Sequence, residues 1–204
     1  MTANATVFVV DDDAAVRDSL TLLLEQENFV VEAFDSAETF LATCRPTRRS
    51  CAIVDIRMPG MDGMELQSEL SKRGVALPVI FLTGYGDIPM SVRAIKKGAV
   101  DFLTKPVTGS ALMQSVQAAL LESDRLNSRS EVAQNAAARI ASLTERERGV
   151  MALAVEGLPN KEIARRLGIS HRTVEIHKAR IMQKTGADTL LDLARVADAG
   201  GLCR

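Results

Sequence analysis

The chain has 204 residues, 47% of them hydrophobic and 25% charged, which is material for one large domain or two small ones and too apolar for a disordered chain. No apolar run approaches the roughly 20 residues of a membrane helix, no basic stretch precedes the first apolar run as in a signal peptide, and Cys44, Cys51 and Cys203 lack CxxC spacing, so membrane, secreted and zinc-finger readings are set aside in favour of a reducing cytoplasm. The net charge of −1 hides a polarity: residues 1–124 carry 17 Asp/Glu against 11 Lys/Arg, whereas residues 125–204 carry 14 Lys/Arg against 9 Asp/Glu. Two modules with different partners are expected, the basic one facing nucleic acid.

Short apolar runs at 7–10, 30–34, 51–54, 79–82 and 100–103 alternate with helical patterns at 14–27, 36–44, 64–73, 89–97 and 109–126. Runs apolar at nearly every position suit parallel strands buried on both faces. In the first helical pattern Val16, Leu20, Leu23 and Leu24 fall on one face. Five strands alternating with five helices read as a doubly wound α/β domain with a five-stranded parallel sheet. Gly60, Gly63, Gly84 and Gly86 loosen the loops after the third and fourth strands, at the carboxyl edge where open α/β sheets place their sites.

The reactive residues gather on that edge. Asp11, Asp12 and Asp13 end the first strand, Asp55 the third, Thr83 the fourth and Lys105 the fifth. Neighbouring carboxylates repel by on the order of 4 kcal/mol per pair at an effective dielectric of 20. A hard divalent cation relieves this, and magnesium favours a few carboxylates with water and phosphate oxygens. A carboxylate nucleophile, a metal site, a hydroxyl and an ammonium together are the parts that phosphoryl transfer requires.

The segments VVDDD (9–13), VDIRMPGMDG (54–63), FLTGYGD (81–87) and DFLTKP (101–106) resemble the receiver domain of two-component response regulators, over about residues 5–122. The resemblance implies a flavodoxin-like fold and assigns Asp55 as the acceptor of a phosphoryl group from the phosphohistidine of a sensor histidine kinase. It implies that Asp12, Asp55 and the Arg57 carbonyl bind Mg2+, with Asp11 acting through water. Thr83 and Lys105 would hold the phosphoryl oxygens, the Lys105–Pro106 bond would be cis, and Phe102 would change rotamer on activation. Two departures are Val107, where many members have Phe, and Tyr85, where close relatives often have His.

Residues 110–148 contain neither Gly nor Pro, so 123–142 reads as a helical linker rather than a flexible one, either continuous with the preceding helix or broken near Asn127 and Ser128. Thr144 and Glu147 suit a capping box, opening a helix that carries Val150, Leu153 and Ala154. Asn160 is expected to cap the next helix, Gly168 to make a sharp turn, and Ser170 to cap a third helix running to about Lys184. A final helix follows at 189–199.

The stretch 160–184 concentrates Lys161, Arg165, Arg166, Arg172, Lys178, Arg180 and Lys184 against Glu162 and Glu175. At 100° per residue Val174 and Ile181 share one face, flanked by His177, which is expected to be a satisfied, partly buried ring. Arg172, Glu175, Ile176, Ala179, Arg180 and Gln183 fall on the other. An apolar Ile176 among outward cations fits a face that enters a DNA major groove and meets thymine methyls.

Residues 143–202 resemble the LuxR-type helix-turn-helix domain, in LTERERGVMALAVEGLPNKEIARRLGISHRTVEIHKARIMQKTG. Together the two halves resemble response regulators of the FixJ type. The resemblance implies a cytoplasmic transcription regulator rather than an enzyme, which dimerises when phosphorylated, binds double-stranded promoter DNA and works with RNA polymerase, without a membrane. It puts the DNA-binding segment at 160–179, so that Asn160, Lys161, Arg172, Thr173, Glu175, Ile176, Lys178, Ala179 and Arg180 are the expected contacts. Ala179 stands where many relatives carry a base-contacting Lys, which leaves sequence reading to Glu175 and Ile176.

Overall fold

The computed structural model describes residues 5–46, 48–84 and 88–202, with no side-chain description for residues 88–90. Tyr85 and Cys203 lie outside the described residues. Two compact units divide the chain between Asn127 and Ser128.

The first unit is a parallel sheet of β1 (Thr6–Val10), β2 (Val30–Phe34), β3 (Ser50–Val54), β4 (Val79–Thr83) and β5 (Asp101–Thr104), in the order β2-β1-β3-β4-β5. It is wound with α1 (Ala14–Gln26), α2 (Ala37–Thr43), α3 (Gly63–Lys72), α4 (Ile88–Lys96) and the first part of α5 (Gly109–Ala141). Parallel neighbours require crossovers, and helices placed on both faces bury both sets of strand side chains. One face packs Phe8, Val10, Val54 and Phe81 against Phe40 and Leu66; the other packs Val9, Ile53 and Leu82 against Leu24, Leu112 and Val116. Every residue of β1, β3 and β4 is buried. The expectation of strands buried on both faces fails for β2 and β5, which are partly exposed, because the strand order puts them at the two sheet edges. Buried Cys44 and Cys51 are free thiols, and burial pushes both up to about 12, away from nucleophilic use.

The order 2-1-3 reverses direction between β1 and β3, so the crevice beyond their carboxyl ends is the switch point of the sheet. Asp11 and Asp55 directly follow those two strands.

In the second unit, the remainder of α5 is followed by α6 (Glu145–Val155), α7 (Asn160–Leu167), α8 (His171–Thr185) and α9 (Leu190–Ala199). Of the two alternatives for residues 123–142, one continuous helix is observed, as a stretch without Gly or Pro favours. Val150, Met151, Ile163, Val174 and Ile181 are fully buried together, and Ala136 and Ile140 of α5 join them. The helix ends follow local chemistry. Thr144 and Thr189 form capping boxes with Glu147 and Asp192, Ser170 caps α8, and Gly168 closes α7 at φ +65, a conformation other residues adopt reluctantly. The expected Asn160 cap is absent. Pro159 holds that position without a side-chain hydrogen bond, and Asn160 is the first helical residue, because the extended Pro159 backbone starts the turn one residue earlier.

Candidate functional site

Strand ends of the sheet bring the acidic residues together. Asp11 and Asp55 are 2% and 8% exposed, Asp12 is exposed, and carboxylate oxygens of all three lie within 4.8 Å of one another. The Lys105 ammonium bridges the two buried acids, at 2.6 Å from Asp11 Oδ2 and 2.9 Å from Asp55 Oδ2. Burial pushes the Asp11 carboxyl above its usual range against the opposing pull of Lys105. For Lys105 burial works against the charged form, but the hydrogen bonds to Asp11 and Asp55 outweigh it and raise its pKa. Lys105 is thus the shared hydrogen-bond donor between two buried carboxylates, its charged form favoured by both.

The remaining predicted residues stand around this centre. Thr83 ends β4 with 1% exposure, and its carbonyl accepts the Lys105 backbone N–H at 2.8 Å, tying the hydroxyl-bearing strand end to the lysine. The Lys105–Pro106 bond is cis. Phe102 is half-buried against the sheet core beside Phe81. The Arg57 backbone N–H donates to Asp55 Oδ1 at 3.3 Å.

Several supports escaped the sequence reading. Asp13 is not part of the acid cluster: its carboxylate accepts from the Ala15 N–H at 2.8 Å and caps α1. The Asp13 N–H in turn donates to Asp11 Oδ1 at 3.0 Å. Arg17 Nη1 donates to the Asp11 carbonyl at 2.7 Å, a contact that only the first turns of α1 create. At Gly63, an added Cβ would lie 2.4 Å from the Asp55 carbonyl oxygen, so the second glycine of MPGMDG is required by close approach to the backbone that ends β3. Glu38 of α2 accepts the Met61 N–H at 2.9 Å and so holds the loop after Asp55 from outside.

In the second unit, Arg172, Glu175, Ile176, Ala179, Arg180 and Gln183 of α8 are all exposed, while Val174 and Ile181 are fully buried. Ile176 is 45% exposed. The Thr173 hydroxyl lies 2.8 Å from that of the Ser170 cap. Lys161 is exposed and Lys178 half-buried. The cations of this stretch divide into two groups. Arg165 and Arg166 pair with Glu162 at 2.7 and 3.2 Å, and Lys184 reaches the buried Glu147 at 2.7 Å, so these three serve the unit internally. His177 is half-buried as expected, but the expectation of a satisfied ring is corrected: its Nδ1 is buried with no hydrogen-bond partner.

Residues 7–117 match the response regulator receiver domain family and residues 141–197 the bacterial regulatory proteins of the luxR family. The chain is 42% identical over 202 residues to the transcriptional regulatory protein FixJ of Bradyrhizobium diazoefficiens, covering 99% of this chain and 98% of that one. It is 44% identical over 193 residues to the transcriptional regulatory protein TdiR of Thauera aromatica, covering 94% and 85%. Among solved structures it is similar to the response regulator StyR, with TM-score 0.79, 43% identity, and 96% and 99% of the two chains covered. Full-length FixJ from B. japonicum matches with TM-score 0.59 and 41% identity over the whole of both chains. Fold and site thus define a two-component response regulator, a regulator of transcription and not an enzyme. The chain belongs to the FixJ-like response regulators, in which a receiver domain is joined to a LuxR-type DNA-binding domain. No helix among the described residues is long and apolar enough to cross a membrane.

Proposed function

We propose that this regulator takes a phosphoryl group onto Asp55 from a sensor histidine kinase and, as a phosphorylation-promoted dimer, binds promoter DNA in the cytoplasm alongside RNA polymerase. Residues 5–122 form the receiver, 123–142 the helical link and 143–202 the DNA-binding module. The observation that carries this reading is the buried Asp11–Lys105–Asp55 network at the sheet's switch point. The Asp55 carboxylate oxygen attacks phosphorus, the phosphorus–nitrogen bond to the kinase histidine breaks, and the imidazole leaves with a proton. Lys105 then exchanges a carboxylate contact for a phosphoryl oxygen, and the Thr83 hydroxyl donates to another. An all-oxygen set within 4.8 Å suits a hard cation, and Asp11, Asp12, Asp55 and the Arg57 carbonyl would hold Mg2+ there, which when bound neutralises charge on the transferring group. Movement of Thr83 lets Phe102 follow, shifting the population of receiver surfaces.

On the DNA side, α8 enters the major groove. Glu175, Ile176 and Ala179 face base edges, where a carboxylate accepts from cytosine N4 and apolar groups meet thymine methyls. Arg172, Thr173, Lys178 and Arg180 contact phosphates. Asn160 and Lys161 stand at the α7 N-terminus, whose lack of a side-chain cap suits a phosphate there. Asp55→Asn tests the acceptor assignment. With acetyl phosphate and magnesium, wild type is expected to gain the mass of one phosphoryl group and the variant none, and an unchanged gain in the variant would refute it.

A further inference from the structure

The two ends of α8 are held in different ways. Its N-terminal end is set by the Gly168 turn and the Ser170 cap, both local and both read from sequence. Its C-terminal end leaves carbonyls without intrahelical donors, and the left-handed Gly186 satisfies only that of Met182. The Thr185 carbonyl accepts instead from Arg139 Nη1 of α5, at 3.1 Å. Thr185 itself is 1% exposed, with its hydroxyl turned back onto the Ile181 carbonyl at 2.7 Å. Next to it Lys184 is drawn 2.7 Å from Glu147 of α6. Two cations thus converge where the helix dipole is negative.

We infer that Arg139 is a positioning residue for DNA recognition, holding the C-terminal end of α8 by its Thr185 carbonyl without touching DNA. Its neighbours on α5 explain why it can serve as an anchor. Ala136 and Ile140, one turn before it and directly after it, are 5% and 7% exposed and belong to the core of the second unit. The guanidinium is therefore presented from a backbone that cannot slide without repacking that core. An α8 of 15 residues spans roughly 22 Å, so freeing one end changes the angle at which the exposed face meets a groove. This inference rests on the DNA-binding reading of α8.

The test uses full-length protein and a mixed-sequence duplex, with binding followed by fluorescence anisotropy over a salt series. Arg139→Ala is expected to lower affinity about tenfold, the lower end of what loss of one charge-assisted hydrogen bond implies, at every salt concentration. Its salt slope stays at the wild-type value because no phosphate contact is removed. Arg180→Ala, in contrast, lowers the slope by about one unit. Arg139→Lys, which keeps a cationic donor, recovers most of the affinity. Amide exchange at Gly186 and Ala187 is expected to speed up in Arg139→Ala and to return towards wild type in Arg139→Lys, a readout that does not depend on DNA. An Arg139→Ala slope reduced by about one would make Arg139 a phosphate contact and overturn the inference, as would wild-type affinity in that variant. Wild-type protein that bound without salt dependence would overturn the DNA reading itself, and this inference with it.

Discussion

Single residues in this protein are used in two electrostatic modes. At the receiver rim, Lys105 is shared between two buried acids, one of which it exchanges for a phosphoryl oxygen in the proposed function. In the second unit Glu147, 3% exposed, is committed. It accepts from Lys184 and from the Thr144 N–H at 2.7 and 2.8 Å, and these contacts hold its carboxyl down to about 2 from an ordinary 4.5. A lowered folded-state pKa contributes stability above the unfolded value, and that contribution is lost as pH falls from about 4.5 towards about 2. Glu147→Gln keeps the shape and an acceptor for Thr144 but loses the ion pair. It is expected to destabilise the second unit by about 2 kcal/mol at neutral pH, less than for a fully buried pair because Lys184 reaches water. Amide exchange in α6 and α8 checks both parts: protection in wild type should fall across that pH window, and much less so in the variant.

Elements were legible wherever their ends are set by local chemistry. The Thr144–Glu147 capping box, the Ser170 cap and the Gly168 turn were readable because a hydroxyl or carboxylate three residues from an open N–H, or a glycine past the last turn, acts without tertiary help. Ser170 is such a case, accepting the Thr173 N–H at 3.0 Å. Ser170→Ala is expected to cost about 1 kcal/mol, with Ser170→Gly costing only a few tenths. Exchange rates in the first turn of α8 measure this, and equal rates in the two variants would discount the cap. The Asn160 cap misread shows the limit of the same logic, since a preceding proline moved the boundary by one residue. The exposure of β2 and β5 was not legible either, because an apolar run does not reveal whether its strand will have one neighbour or two.

For the whole molecule, the proposed function requires that phosphate on one unit alter DNA binding by the other. A single helix-turn-helix reads few base pairs, and two copies on a repeated site about one helical turn apart gain specificity and avidity. The receiver face formed by α4, β5 and α5 is the candidate dimer surface. There Val92, Ile95 and Leu121 are exposed to 45%, 48% and 68%. Asp101 accepts from Ser115 at 2.5 Å and Glu122 from Arg125 at 3.1 Å within the chain, and each carboxylate keeps acceptor sites for Arg93, Lys96 or Lys97 of a partner. The expected behaviour is a mainly monomeric free protein that dimerises with beryllofluoride and magnesium, read by sedimentation velocity. A monomer in both conditions, at concentrations where DNA binding is enhanced, would exclude dimerisation driven by the receiver.

Sequence by itself determined the alternation of strands and helices, the Thr144 and Ser170 caps, the helix-turn-helix and the candidate reactive residues, because each follows from spacing or motif within a few residues. The tertiary structure decided which of those residues meet. It put Lys105 between Asp11 and Asp55 and took Lys184 away from the DNA-facing cations to pair with Glu147. It also brought Arg139 to Thr185 across 46 positions of chain. Those pairings depend on packing distant segments in one register, and local periodicity carries no information about which distant charge will arrive alongside.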